Sequence, residues 1–436
     1  LRSDIAQLRS PSDQFTYGVV VQRSFQDALI ALLFNFNIQA VVVRYAPSYA
    51  SKGITPEIAP YIEYVTRLKF DNKSEYELGP ILGKLMRQFR PELDAYYVTD
   101  TSLGNLKDTT IGAFNRIFYR REDLQEIHLT IMRGIEERYE APFFSALKKY
   151  SQKPTGVFHA MPISRGNSVF KSRWIKDFGD FYGRNMFLAE TSATTGGLDS
   201  LLQPTGPLKK AQEMASDAYG SKRTFFVTNG TSTANKIVMQ ALVKPGDVVM
   251  IDRDCHKSHH YGLVLSGAFP VYLDSYPIEE YSMYGAVPLE EIKEKLLKLK
   301  EAGRLDKVKM LLLTNCTFDG LVYNVERVME QVLAIKPDMI FLWDEAWFAF
   351  AGFSYLYKQR TGMFVARNLS RKYSGKEYKK FYKQYIKDLP EGECSLYPDP
   401  DQVRIRVYST QSTHKTLSSF RQGSMIHIWD GDFKRK

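Results

Sequence analysis

The chain has 436 residues, 44% of them hydrophobic, with 27 Phe and 27 Tyr. That length allows roughly three domains, and that composition supplies a core and excludes a disordered chain. The net charge of +10 invites a nucleic-acid reading, but much of it lies between Lys358 and Lys387, where lysines and arginines alternate with Tyr and Phe and no zinc-finger, RNA-recognition or helix-turn-helix pattern accompanies them.

That basic stretch reads as a solvated, partly helical insertion, and no nucleic-acid partner is expected. The longest apolar runs, such as Ala28 to Phe34, are too short to cross a bilayer, and no signal segment opens the chain, so no membrane partner is expected either. Cys255, Cys316 and Cys394 do not form a disulfide framework and match no zinc spacing; they fit a reducing, cytoplasmic compartment without a metal. The numbering opens on Leu1 rather than Met, which reads as the start of a piece of a longer product.

Phe15 to Val21 alternates as a strand, Asp27 to Phe34 as a helix and Ile38 to Tyr45 as a second strand. Glu75 to Arg87 reads as helix and Asp94 to Val98 as a short strand. Strand-helix-strand alternation predicts a small open α/β layer over residues 1–108. It holds no Gly-rich phosphate turn, so its role is structural or in assembly. Residues 109–150, with Leu124, Ile127, Ile131 and Ile135 at helical spacing, read as a helical connector to a large domain over 151–436. In the loop from Phe158 to Ser168, a substrate or dimer-contact role for His159 and Arg165 competes with an ordinary turn.

In the large domain, Thr224 to Val227 is a strand followed at once by Thr228-Asn-Gly-Thr-Ser-Thr-Ala-Asn-Lys236 and a helix. A strand, a small polar turn and a helix gather free backbone N–H groups and hydroxyls, which suits a phosphate; the Walker spacing is absent, and a merely Thr/Ser-capped helix stands beside this reading. The strand Val248 to Ile251 leads into Asp252-Arg-Asp-Cys-His-Lys-Ser-His-His260. His256, His259 and His260 lack matching zinc ligands; His256, nearest the strand end, is either a flat ring able to stack on an aromatic cofactor or a helix cap. Val308 to Thr314 is a strand entering the turn Asn315-Cys-Thr-Phe-Asp-Gly320. Met339 to Trp343 is a strand apolar on both faces, ending in Asp344-Glu-Ala-Trp347.

Arg404 to Ile428 reads as a strand, a polar loop with a single lysine and a second strand. Lys415 is ringed by Ser409, Thr410, Ser412, Thr413 and His414, with no adjacent carboxylate. Such a lysine can form a Schiff base if its pKa is lowered, with hydroxyls holding a phosphate beside it. Thr228, His256, Thr317, Asp344 and Lys415 all fall at strand ends, where open parallel sheets collect ligands. A phosphate cradle, a buried carboxylate, a stackable histidine and a loop lysine together meet the needs of pyridoxal 5'-phosphate. The carboxylate keeps the pyridine nitrogen protonated as an electron sink.

The motifs Thr228 to Lys236, Asp252 to Ser258, Asn315 to Gly320, Gln411 to Lys415 and Gln422 to His427 closely resemble the bacterial ornithine/lysine/arginine decarboxylases, of the aspartate-aminotransferase fold (fold type I). The resemblance covers about Ser145 to Ile428 and implies an α/β fold with a mostly parallel sheet, preceded by a flavodoxin-like or receiver-like wing. It implies that Lys415 is the Schiff-base lysine, Asp344 pairs with the pyridine nitrogen and His256 stacks on the ring. Thr231, Ser232, Ser412 and His414 would lie around the phosphate, with Thr317 and Trp347 along the ring edge.

The implied reaction removes CO2 from lysine, ornithine or arginine, with the α-carboxylate held perpendicular to the ring and a proton then returned to Cα. A homodimer open to larger rings is implied as well. Two features depart from the family: Glu345 follows Asp344 where several members carry Ser, and the basic insertion separates Asp344 from Lys415. The chain also stops soon after the strand that follows Lys415, where a C-terminal domain is expected. An aminotransferase or aldolase-type lyase would share Lys415 and Asp344. An assembly or regulatory homologue would carry no cofactor on Lys415.

Overall fold

The computed structural model describes residues 2–11, 13, 15–53, 57, 59–66, 69–70, 73–101, 106, 111–119, 124–191, 198–390 and 395–433. Cys394 lies outside these residues. The chain divides into two compact units, Leu1–Ala141 and Pro142–Lys436.

In the first unit, strands β1 (Ala40–Arg44), β2 (Asp94–Thr99) and β3 (Arg116–Tyr119) form a parallel sheet in that order, and the central β2 is buried along its length. Helix α1 (Phe25–Phe34) starts at Ser24, whose side chain accepts the Asp27 N–H; α2 (Glu75–Phe89) starts in a capping box of Ser74 and Glu77. Their apolar sides, with Phe25, Leu29, Leu78, Leu82 and Met86, cover Val43, Ala95 and Tyr97 on one face of the sheet. Because side chains alternate along a strand, Tyr96, Val98 and Phe118 point the other way. There they meet Ile127, Ile131 and Ile135 of α3 (Leu124–Tyr139).

Two expectations are corrected here. Phe15 to Val21 forms no strand: Phe15 and Tyr17 pack against the α3 cluster, and the Tyr17 hydroxyl sits 2.7 Å from His128 Nδ1, so side chains hold the segment instead of a backbone ladder. The segment 109–150 is not a separate connector. Helix α3 is part of the first unit, because its isoleucines complete that core, whereas α4 (Pro142–Gln152) opens the second.

The second unit is built on a seven-stranded sheet. Its strands are β4 (Arg223–Val227), β5 (Val248–Asp252), β6 (Phe269–Leu273), β7 (Val308–Thr314), β8 (Ile340–Asp344), β9 (Arg406–Ser412) and β10 (Ser424–Asp430), in the order β4-β10-β9-β8-β7-β5-β6. All run parallel except β10, which is antiparallel to both of its neighbours. On one face Val249, Ile251, Leu312, Ile340, Leu342 and Ile428 pack beneath helices α6 (Gly230–Leu242) and α7 (Lys257–Ser266), chiefly through Ala234, Val238, Met239 and Leu263, whereas α5 (Pro207–Tyr219) reaches the opposite face, where its Tyr219 ring lies 4.4 Å from that of His427 on β10. On the other, Met250, Leu311, Leu313, Phe341, Trp343 and Val407 meet α8 (Val325–Ile335) and α9 (Gly362–Ser374).

The basic insertion is thus only half solvated. Helix α9 buries Met363, Val365, Ala366, Leu369 and Tyr373 in the core, while α10 (Lys376–Asp388) buries Tyr378 and exposes Lys376, Lys380, Lys383 and Lys387. No helix among the described residues is long and apolar enough to cross a membrane.

Arg165 has a structural task. Its buried guanidinium donates to the carbonyls of Tyr150, Ser151, Lys153, Thr155 and Leu188 at 3.1–3.2 Å and stacks over the Tyr150 ring at 4.8 Å. Those carbonyls include orphan acceptors at the end of α4. Arg165→Ala is expected to cost about 3 kcal/mol in chemical denaturation, with Arg165→Lys recovering less than half because an ammonium lacks the planar fork. His159 serves its own turn, accepting the Met161 N–H at 3.2 Å.

Candidate active site

The carboxyl ends of β4, β5, β7, β8 and β9 fall along one edge of the sheet, and the loops leaving them carry the expected residues. After β4 the chain turns at Gly230, with φ +73°, and its N–H donates to Gln422 O at 2.8 Å; a Cβ there would lie 3.1 Å from Gln422 Oε1. Glycine therefore lets α6 start hard against the sheet. In the first turn of α6, buried Thr231 places Oγ1 2.6 Å from Ser412 Oγ at the end of β9. Two hydroxyls from strands far apart in sequence meet at the amino end of a 13-residue helix, a donor set suited to an anion. Ser232 is exposed in the same turn. His414 Nδ1 donates to Gly423 O at 2.9 Å, which fixes its tautomer.

Asp344, the last residue of β8, is buried. Its Oδ2 accepts from His259 Nε2 at 2.7 Å and Asn235 Nδ2 at 2.8 Å, and Oδ1 accepts the Ala346 N–H at 3.0 Å. Burial pushes this carboxyl up, but the His259 bond and charge, with Asn235 and Ala346, outweigh it and hold Asp344 below the usual carboxylate range. Oδ2 is saturated by two donors, whereas Oδ1 keeps a free lone pair. The Asn235 amide is itself fixed, since its Oδ1 accepts from Thr410 Oγ1 at 2.6 Å. Ser258 Oγ, 3.3 Å from Asn235 Nδ2, lies 2.9 Å from His256 Nδ1.

His256 caps α7, accepting the Ser258 N–H at Nδ1. Burial lowers its pKa, Asp344 opposes this, and His259, Lys415 and Lys257 add to the lowering, so the neutral ring is favoured. Since His256 feels both Asp344 and Lys415, the three groups share one site.

Lys415 sits in a single helical turn, Thr413–Thr416, between β9 and β10, rather than in an irregular loop. The turn closes with the Leu417 N–H on Thr413 O. Although the residue is exposed, its Nζ lies 4.6 Å from the centroid of the Trp347 ring. The partial burial lowers the pKa of the amine against the pull of Asp344, which raises the share of its nucleophilic form. Trp347 meets the exposed Phe318 edge to face, with centroids 5.7 Å apart. Thr317 Oγ1 accepts the Leu321 N–H at 3.1 Å, so this hydroxyl serves its own turn. Among the described residues no cluster of three His, Cys, Asp or Glu is able to hold a metal.

The residues that sequence reasoning missed are partners of the expected ones. His259 follows His256 by three positions and matches no zinc spacing, so sequence alone gives it no role; its carboxylate partner is 85 positions away. Asn235 stood inside a quoted motif with no role. Glu345, the departure next to Asp344, is wholly buried and bonded to Asn315, Gly362 and Gln411.

A family profile described as Orn/Lys/Arg decarboxylase, major domain, matches residues 141–372. The lysine decarboxylase LdcA of Pseudomonas aeruginosa is 35% identical over 300 residues, 67% of this chain and 35% of that protein. The biodegradative arginine decarboxylase of Escherichia coli is 31% identical over 298 residues, 66% of this chain and 35% of that protein. The solved structure of lysine decarboxylase A from Pseudomonas aeruginosa superposes with a TM-score of 0.59 at 27% identity, covering 99% of this chain and 52% of that one. The chain thus spans about half the length of that solved relative.

Proposed function

The chain belongs to the Orn/Lys/Arg decarboxylase family, and from that premise we propose that it carries the cofactor-binding part of an enzyme that removes CO2 from a basic amino acid with pyridoxal 5'-phosphate. The observation that carries this reading is that Lys415, Asp344 and His256, at carboxyl ends of strands on one edge of the sheet, lie close enough to act on one another's charge, with the lysine amine depressed and the carboxylate held ionised. The residues fit the group. Thr231, Ser232 and Ser412 offer hydroxyls at the start of α6 for its phosphate, and His414 stands next to Lys415. The free lone pair of Asp344 Oδ1 suits a pyridinium N–H, and the neutral His256 ring suits stacking.

When bound, the cofactor supplies the electron sink for the pair left behind as CO2 departs. Lys415 Nζ would hold it covalently, would yield to the substrate amine and could return a proton to Cα. Asp344 would keep the ring nitrogen protonated, with His259 and Asn235 holding Asp344 ionised and oriented. Thr317 and Trp347 would flank the ring edge. The cationic substrate gains nothing from a chain of net charge +10, so its recognition falls to local carboxylates.

The exposed Phe318 and Trp347, with Phe420 on the loop after Lys415, give the site an apolar rim, which supports a homodimer covering it. Free Cys255 and Cys316 support a cytoplasmic setting. The test is CO2 release from lysine, ornithine and arginine by purified protein supplied with pyridoxal phosphate. The expected result is release from at least one of the three; release from none, with amino-group transfer to a keto acid instead, would replace the decarboxylase by an aminotransferase.

A further inference from the structure

Glu345 follows Asp344, yet its surroundings are opposite in kind. Its Oε1 accepts the Gly362 N–H at 2.7 Å, at the first residue of α9, and Asn315 Nδ2 at 3.0 Å; its Oε2 accepts Gln411 Nε2 at 3.0 Å. These donors are neutral, as is the Ser409 hydroxyl that also acts on the carboxylate, and Glu345 forms no ion pair among the described residues. The far end of the Gln411 amide continues the network. Gln411 Oε1 is 3.1 Å from His427 Nε2, His427 Nδ1 is 2.8 Å from Thr224 Oγ1, and Thr224 Oγ1 is 3.0 Å from Ser221 Oγ. Glu345, Gln411, His427 and Thr224 stand at or beside neighbouring strands β8, β9, β10 and β4, so the chain crosses four strands in one buried layer.

With Glu345 ionised, only one proton order fits these contacts. Thr224 O–H donates to His427 Nδ1, His427 Nε2–H to Gln411 Oε1, and Gln411 Nε2–H to Glu345 Oε2. A proton on Oε2 makes the carboxyl a donor, and the same heavy atoms accommodate the reverse order. The Gln411 amide turns over, His427 carries its proton on Nδ1 instead of Nε2, and the Thr224 hydroxyl rotates. The net change is one proton gained, on Glu345. The imidazole stays neutral throughout, since burial holds His427 down to about 3.

The ionisable groups facing Glu345 are few. They are the Tyr219 phenol from α5 and the Cys316 thiol after β7, both neutral and both raised first by burial and then by Glu345, and the neighbouring Asp344 carboxylate.

We propose that Glu345 is a positioning residue whose gain or loss of a proton reverses the direction of this buried chain while each side chain keeps its partner. Its reach to the candidate site is through the backbone. Glu345 N–H donates to Thr410 O at 2.8 Å, Gln411 adjoins Ser412 and precedes Lys415 by four residues, and Ala346 and Trp347 follow Glu345 directly. Burial raises the Glu345 carboxyl above its ordinary value, so the reversal falls at higher pH than the titration of a free glutamate. The link to Lys415 rests on the function proposed above; the reversal itself does not.

The test is the tautomer of His427 in intact protein labelled with 15N-histidine, its signals assigned by their loss in His427→Asn. On the alkaline side of the Glu345 titration wild type is expected to carry the proton on Nε2, and Glu345→Gln, whose amide imitates the protonated acid, on Nδ1. On acidification wild type converts to the Nδ1 form at the pH where an infrared carboxylic-acid band appears, and that band is missing in Glu345→Gln.

An identical tautomer in wild type and folded Glu345→Gln overturns the reversal. Should that variant not fold, a wild-type tautomer that stays unchanged down to acid unfolding overturns it equally. The positioning role is read from the pH profile of pyridoxal phosphate attachment to Lys415. A step at the same pH is expected in wild type and absent in Glu345→Gln, and a profile unchanged in that variant overturns the role. Failure of wild type to attach the cofactor at any pH would sink the proposed function while leaving the tautomer result standing.

Discussion

Lys415→Ala is expected to abolish covalent attachment of pyridoxal phosphate and to lower CO2 release by about four to six orders of magnitude, with little change in fold stability. The size of the first effect follows from chemistry. Lys415 offers the amine beside Asp344 and His256, and no other side chain in the turn Thr413–Thr416 carries a primary amine, the group an imine requires; the His414 imidazole cannot form one. The smallness of the second follows from exposure. Its ammonium lies over the Trp347 ring, a contact worth about 1 kcal/mol or less. Visible absorbance of the cofactor-loaded protein and trapping of the attached cofactor by borohydride measure the first effect; thermal melting of the apoprotein measures the second. Retention of a borohydride-trappable adduct in Lys415→Ala would move the attachment point elsewhere and end the assignment.

The sequence was legible where one physical rule dominates. Strands β7 and β8 are apolar on both faces because helices cover both sides of the sheet, and their runs of Leu, Ile and Phe are visible without coordinates. The end of β8 is marked by the abrupt change from Trp343 to Asp344. Lys415 and Asp344 stood out because a lone lysine among hydroxyls and a carboxylate at a buried strand end are chemically conspicuous. The partners of Asp344 were not legible, because hydrogen bonds between His259, Asn235 and Asp344 span 85 and 109 positions and depend on α6 and α7 lying side by side. Phe15 to Val21 was misread because alternation reports one covered face and does not say whether a strand or a helix covers it. The insertion was misread in half because its charge hid the apolar side of α9, where Met363, Ala366 and Tyr373 recur at helical spacing.

Glu345→Ala is expected to destabilise the fold as much as Arg165→Ala does. It strips the acceptor from Gly362 N–H, Asn315 Nδ2 and Gln411 Nε2 in a site closed to water, and each abandoned donor costs about 1–3 kcal/mol. Relief from burying an unpaired carboxylate offsets part of this, leaving a loss of about 3 kcal/mol near neutral pH.

Glu345→Gln keeps an acceptor for Gly362 and Asn315 and donates to a turned Gln411, so its stability should lie within about 1 kcal/mol of wild type. The two variants also separate by pH. The Glu345 carboxyl is raised above its ordinary 4.5 by burial, so its stabilising part is fully present below that value and is lost as pH rises through the folded-state pKa. Asp344 behaves oppositely. Lowered from 3.8 because His259, Asn235 and Ala346 outweigh burial, it contributes stability above that value and loses it as pH falls through the folded pKa.

Wild-type melting temperature should therefore rise as pH falls through the folded-state titration of Glu345 and fall again as it drops through that of Asp344, below 3.8. Glu345→Gln should lack the rise and keep the fall, while Asp344→Asn should weaken the fall and keep the rise. Melting curves of the three proteins across that range decide the matter, and a rise that persists in Glu345→Gln would assign the acid-side gain to another group.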